Sequence, residues 1–217
     1  MYNLRLYQDK FSKGASKVTL EAQHSAIYVL RGEVKVNGEL CPEDEAVYTT
    51  DIAIIEPMSD DLVLWRWDVV RAEEEKNLAV GEGIESTLAL SREVRMFEMA
   101  PRTKWLFRLD AIINHMGSTG LHSHPGSGIR CLKAGNLKIE GYIAEESDNR
   151  KEGDAWYEEG SYPIISTADE GVKATFLRGM ILPIEYAEFP DTAIWIEGTK
   201  PCKSDWKSYS QEIITLI

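Results

Sequence analysis

The chain repeats itself, and a duplicated sequence must fold twice into the same kind of unit. YVLRGEVKVNG at 28–38 aligns with CLKAGNLKIEG at 131–141, which sets Gly32 on Gly135, Val34 on Leu137, Lys35 on Lys138, Val36 on Ile139 and Gly38 on Gly141, an offset of 103. DEAVYTTDIAIIE at 44–56 aligns with GDAWYEEGSYPIIS at 153–166, setting Ala46 on Ala155 and Tyr48 on Tyr157, an offset of 109. LVLWRWDVV at 62–70 aligns with TFLRGMIL at 175–182, with Arg66 on Arg178, an offset of 112. The blocks keep their order, and the first rise in offset is absorbed by the polar stretch EESDNRK at 145–151, which reads as a longer loop.

The repeated segments read as strands. AIYVLRG, EVKVNG, DLVLWRWDVV, KWLFRLDAI, GIRCLKAG, NLKIEG and ATFLRGMILP are rich in β-branched, aromatic and other apolar residues and are punctuated by Gly, Asn and Asp. Trp65 and Trp67 alternate with Arg66, so they share a face and belong to a core. AEEEKNL at 72–78 fits a short helix or a charged loop, with 73–76 a solvated turn. SDWKSYSQEII near the C-terminus fits a helical turn or a last strand. The class is all-β. Short strands in repeats of this length suit closed β-barrels or jelly rolls, which leave no exposed sheet edge. REVRMFEMAPRT at 92–103 supplies a boundary, giving an N-terminal barrel over 1–95 and a C-terminal barrel over 96–217.

Charge narrows the partners. Thirty-six acidic against 24 basic residues give a net charge of −12, a surface that repels nucleic acid and anionic membranes alike. No run is long and apolar enough to span a bilayer, and MYNLRLYQDK lacks a signal-peptide layout. Cys41, Cys131 and Cys202 are widely spaced and form no zinc pattern. These features point to a cytoplasmic protein with reduced thiols. Phosphate-binding Gly-rich loops and a nucleophile elbow are absent.

GLHSHPGSGIRCLKAGNLKIEG at 120–141 resembles the first motif of the cupin superfamily: an H-x-H pair, a turn, usually a glutamate, then an apolar strand ending in glycine. GDAWYEEGSYP at 153–163 resembles the second motif. With the duplication, the resemblance is to bicupins and implies tandem double-stranded β-helix barrels. On a strand, His122 and His124 lie on one face, about 6.5–7 Å apart along the chain, and two imidazoles aimed into a barrel can chelate one divalent metal. Pro125-Gly126 turns the chain, and Gly128 leaves backbone room.

The departures matter. The family's glutamate falls at Ser127 and its last histidine at Pro163 or Ile164. A third ligand must come from elsewhere. Glu158 is preferred, with Glu159 and His115 behind it. Two histidines and a carboxylate would suit iron(II); manganese, nickel and zinc are the other divalent ions in view. In the first barrel the offset of 103 places Thr19 on His122, Glu21 on His124 and His24 on Ser127, so no metal cluster is expected there, and that barrel reads as structural or dimer-forming. A homodimer is the expected assembly.

Ser127, Arg130, Cys131 and Trp156 are the candidate pocket residues. Arg130 would bind an anion bidentately or face outward in a salt bridge, because strand parity separates it from Ser127, Ile129 and Cys131. Cys131 reads as a small core residue before a nucleophile. Trp156 and Tyr157 fill a barrel or stack a ligand. Three functions stay open: a metal-dependent enzyme of the dioxygenase, isomerase or lyase kind acting on a small organic acid or carbonyl compound, a non-catalytic ligand-binding or sensor bicupin, and a structural barrel.

Overall fold

The computed structural model describes residues 1–94, 103–115, 117–141, 147–189, 191–199 and 204–216. Cys202 and most of the boundary stretch lie outside the described residues. The chain divides into two compact units, Met1–Val94 and Arg95–Ile217, against the expected 1–95 and 96–217.

The first unit runs β1 (Tyr2–Ser12), β2 (Val18–Arg31), β3 (Val34–Val36), β4 (Glu39–Cys41), β5 (Ala46–Pro57), β6 (Asp61–Arg71) and β7 (Ile84–Glu93). These form one antiparallel sheet in the order β4-β3-β5-β2-β6-β1-β7. The two-residue turn between β3 and β4 is Asn37-Gly38, with φ of 52° and 88°, the pair of positive values that a type I′ hairpin requires. Inward residues of several strands meet in a core that includes Phe11, Ile27, Val29, Val34, Ile55 and Leu64. Trp65 and Trp67 are both buried and meet edge to face at 6.4 Å.

The second unit contains β8 (Lys104–Asn114), β9 (Gly117–Ser118), β10 (His122–Ser123), β11 (Gly128–Ala134), β12 (Leu137–Gly141), β13 (Ser147–Arg150), β14 (Ala155–Glu158), β15 (Ile164–Ala168), β16 (Ala174–Pro183), a 3-10 turn at Ile184–Glu188, β17 (Ile194–Trp195) and β18 (Ser204–Thr215). One sheet runs β13-β12-β15-β10-β17, with β9 on β15, and the other runs β14-β11-β16-β8-β18. The SDWKSYSQEII stretch is therefore a strand. The stretch read as a loop at 145–151 contains β13, which pairs with β12 from Leu137↔Arg150 to Glu140↔Ser147; its polar side chains misled because this edge strand meets water.

The duplication is written in the strand registers. Ala26 faces Tyr48, Ile27 faces Arg66 and Tyr28 faces Trp65 in the first unit. Ile129 faces Tyr157, Arg130 faces Arg178 and Cys131 faces Leu177 in the second. These pairs reproduce the sequence offsets of 103, 109 and 112. Gly32 and Gly135 each follow the shared inner strand with φ of 87° and 82°, a region glycine enters freely.

Each repeat places an arginine in the middle of an apolar strand, and each arginine is buried with carboxylates. Arg66 is 1% exposed; its Nε donates to Asp9 at 3.1 Å, its Nη1 to Asp68, and its Nη2 to the Asn77 carbonyl at 2.8 Å. Arg178 donates from Nε and Nη2 to the two oxygens of Asp110 at 2.7 and 2.8 Å. Removing one partner of such a pair leaves buried charge uncompensated. Arg66→Met, which strands Asp9 and Asp68, is expected to destabilise the protein by about 3–5 kcal/mol, read as a lower urea midpoint; an unchanged midpoint would show that the network adds nothing.

Candidate functional site

β10, β11, β14, β15, β16 and the segment around β17 enclose a cavity of about 70 Å³ in the second unit. One water needs roughly 10–15 Å³ on such a measure, so the space admits a small molecule. His122, His124, Arg130, Glu158 and Arg178 line it, with Ile112, Ile164, Phe176 and Trp195 as apolar walls.

The two histidines arrive by different routes. His122 is held in β10 between Ile164 and Trp195, and the Trp195 ring lies 4.9 Å from its own. His124 lies beyond the strand, fixed by its backbone N–H to Gly160 at 2.8 Å. The turn that follows packs main chain on main chain: a Cβ at Gly126 would stand 2.1 Å from the Ile181 carbonyl oxygen. Both imidazoles are 6% exposed, and their centres are 5.0 Å apart.

His122 Nδ1 lies 3.0 Å from the Gly120 carbonyl and His124 Nδ1 lies 3.2 Å from that of Thr192. A carbonyl only accepts, so His122 Nδ1 carries the hydrogen and its Nε2 keeps a lone pair, whereas the one hydrogen of a neutral His124 can go from Nδ1 to Thr192 or from Nε2 to Glu158, 3.3 Å away. Burial lowers both histidines, His124 to about 4, so both rings are neutral at neutral pH.

Glu158, across from Gly128 in β14, is 7% exposed. Burial would raise its pKa, but Arg130 and then His124 outweigh that and hold it well below the usual carboxylate range. Oε1 accepts the Trp156 indole N–H at 2.8 Å. Oε2 is 2.7 Å from Arg130 Nη2, an ion pair not aligned as a hydrogen bond, and 3.3 Å from His124 Nε2. A neutral imidazole with one hydrogen thus stands between two acceptors.

Arg130 is fully buried and faces the cavity. Of the readings open for it, the outward one is corrected: Nη1 donates to the Gly128 carbonyl at 2.7 Å while Nη2 pairs with Glu158. Strand parity keeps Cys131 off the cavity, its Sγ 3.5 Å from the Gly153 carbonyl. Ser127 is buried outside the lining, and its Oγ meets no partner among the described residues. Trp156 does not line the cavity but packs on one of its walls, Phe176, and donates to Glu158. His115 pairs with Asp205 at 2.6 Å away from the cavity, and Glu159 does not line it. Ile164, at a position where the cupin pattern carries a histidine, faces His122 with an apolar side chain. In the first barrel Thr19 and Glu21 are exposed while Leu20 and Ala22 point inward.

Arg178, Asp110, Trp195 and Asp191 were missed. The mid-strand arginine in TFLRGMIL was the available signal for the first two, since a buried guanidinium requires an anion. Trp195 sits on a two-residue strand that has no periodicity to find.

A divalent ion has an arguable fit. Two donors about 2.1 Å from one ion stand roughly 3–3.4 Å apart at angles from square to tetrahedral, and the His124 Nε2 to Glu158 Oε2 separation of 3.3 Å lies in that span. Against this, no group of three or more His, Cys, Asp or Glu among the described residues is clustered closely enough to hold a metal.

No family model matches the chain, and no curated protein matches its sequence. Solved structures match its fold. Salicylate 1,2-dioxygenase from Pseudoaminobacter salicylatoxidans, in adduct with gentisate, aligns with a TM-score of 0.52 at 11% identity, over 94% of this chain and 72% of that one. Vicilin from Capsicum annuum aligns with a TM-score of 0.52 at 10% identity, over 89% and 77%. A cupin 2 conserved barrel domain protein from Leptotrichia buccalis aligns at 0.49 and 14% identity, over 82% and 84%. The fold is like that of the dioxygenase and vicilin structures. At these identities the likeness concerns the fold alone.

His124 makes stability depend on pH. The unfolded chain takes up its proton near pH 6.5 and the folded protein near pH 4, so the contribution of the neutral ring is full above pH 6.5 and is lost as the pH falls to about 4, by roughly 3 kcal/mol. Urea unfolding of chelator-treated protein across this range should show the loss, and His124→Gln should flatten it; an equal slope in the variant would assign the effect to other groups.

Proposed function

We propose that the second barrel binds a small organic acid beside a divalent metal held by His122, His124 and Glu158. The observation that carries the reading is the convergence of His122, His124 and Glu158 on one buried cavity, with His124 Nε2 3.3 Å from Glu158 Oε2. The Nε2 lone pair of His122, on a ring 5.0 Å from that of His124, supplies a further donor. Two nitrogens and one carboxylate oxygen suit iron(II), with manganese, nickel and zinc as alternatives.

The bound ion would supply Lewis acidity and open positions for a substrate oxygen. The chain's own part is to orient and to exclude water. Gly120 fixes the His122 tautomer, Trp156 and Arg130 keep Glu158 ionised, and Ile112, Ile164, Phe176 and Trp195 wall the space. Such a pocket serves an oxidoreductase of the dioxygenase kind, an isomerase or a lyase; the salicylate 1,2-dioxygenase neighbour supports the first through fold only.

A metal-free small-molecule-binding function is favoured by one observation, the Arg130–Glu158 ion pair at 2.7 Å, which already neutralises the proposed third ligand. Elemental analysis separates the readings. Protein purified without chelators from metal-supplemented cultures is expected to carry about one divalent ion per chain. The variant with both His122→Ala and His124→Ala should lose nine-tenths of it or more while keeping its circular dichroism. Wild-type protein without metal, or a double variant that retains it, overturns the metal-dependent reading in favour of the other.

A further inference from the structure

The two barrels of one chain allow an internal comparison. Registers set Arg66 on Arg178, Ile27 on Arg130, Ser25 on Gly128, Thr49 on Glu158 and Asp68 on Met180. In the first barrel each of the three guanidinium nitrogens of Arg66 is engaged, and the Nη1 partner is Asp68. Asp68 is itself held by Ser25 at 2.7 Å. The second barrel has replaced that carboxylate by Met180, whose sulfur lies 3.9 Å from Arg130 Nη2. Arg178 remains clamped through Nε and Nη2 by Asp110, its Nη1 meets no acceptor among the described residues, and the residue lines the cavity while only 5% exposed. An arginine anchored by one edge at the wall of a cavity can receive an anion on its remaining nitrogen.

We infer that Arg178 determines the specificity of this cavity by receiving the carboxylate of a short-chain monocarboxylic acid through Nη1, in the place that Asp68 fills for Arg66. The inference deepens the organic-acid reading of the site and does not need the metal. The size follows from the cavity of about 70 Å³. The single charge follows from the rest of the lining. Two cations here meet three carboxylates: Arg130 is paired with Glu158, Arg178 with Asp110, and Asp191 stands at the cavity with its carboxylate on the Ala193 N–H at 2.8 Å. A second carboxylate would meet Glu158 or Asp191 without a cation of its own. His122 and His124, both neutral, suit a hydroxyl or a metal-bound oxygen on the acid's other end.

Calorimetric titration with lactate, lactamide and malonate tests this on the native protein. Lactate should bind at least about tenfold more tightly than lactamide, which has the same shape without the charge, and more tightly than malonate. Met180→Asp, which rebuilds the first barrel's arrangement, should weaken lactate binding at least about tenfold with metal content measured alongside. The exchange Arg178→Gln with Asp110→Asn replaces the ion pair by two amides and should do the same, which covers a failure of Met180→Asp to fold. Equal binding of lactate and lactamide, no binding of lactate, or a folded variant that binds lactate as the native protein does, overturns the inference. Lactate binding by native protein that carries no metal after metal-supplemented culture sinks the metal reading alone; metal without a lactate preference sinks this inference alone.

Discussion

A guanidinium cannot be left alone inside a barrel. Arg66 and Arg178 stand at the same register position of their two units, each in the middle of a strand whose neighbours are almost all apolar. The cost of removing an ion from water amounts to several kcal/mol even after relaxation. Each barrel must therefore deliver carboxylates to that point, and the first strand of each does so, through Asp9 and Asp110. That demand fixes the register of the first strand against the inner one more sharply than apolar packing can, because a slip of one residue would carry the acid to the opposite face. The barrel core packs around a polar centre whose geometry is already decided.

The sequence made the fold legible for a related reason. Duplication turns each weak strand signal into two, and positions such as Gly32 and Gly135 or Tyr48 and Tyr157 kept their roles because turns and inner strands tolerate few substitutions. The loop mistake at β13 has the opposite cause. An edge strand exposed to water needs no apolar alternation, so Ser-Asp-Asn-Arg reads as loop while its backbone pairs with Leu137–Glu140.

The site was legible only where residues were close in sequence. His122 and His124 are two apart, and the spacing alone assigned them to one face. Glu158 was preferred on the expectation that its strand runs beside the H-x-H strand; β10 pairs instead with β15 and β17, and Glu158 stands across from Gly128 in β11. Arg130 was the ambiguous case. Parity separates it from Cys131 as expected, but the rule was silent on which face is the interior; the interior face is the one carrying Arg130, while Cys131 packs on the other, also covered, side. A strand buried on both faces defeats the equation of apolar with inward. Asp110, Arg178 and Asp191 come from distant segments joined only by folding, and no local pattern links them.

The comparison between the barrels says more about the site than either does alone. At Ile27, Thr49 and Asp68 the first unit has an apolar residue, a hydroxyl and an acid, and its arginine is saturated. At the matching Arg130, Glu158 and Met180 the second has a base, an acid and a thioether. The net charge of the three is −1 in the first set and zero in the second, so the second unit gained one positive charge relative to the first while shifting its carboxylate from β16 to β14. That shift moves the acid away from the Arg178 side and toward the His124 side, where it meets Arg130. One chain thus contains the closed and the open form of a single arrangement. The difference between the two comes down to which strand carries the carboxylate, since an acid two residues along from the arginine engages its last donor, and an acid on β14, with β11 between it and the arginine's strand, is placed to pair with Arg130 instead.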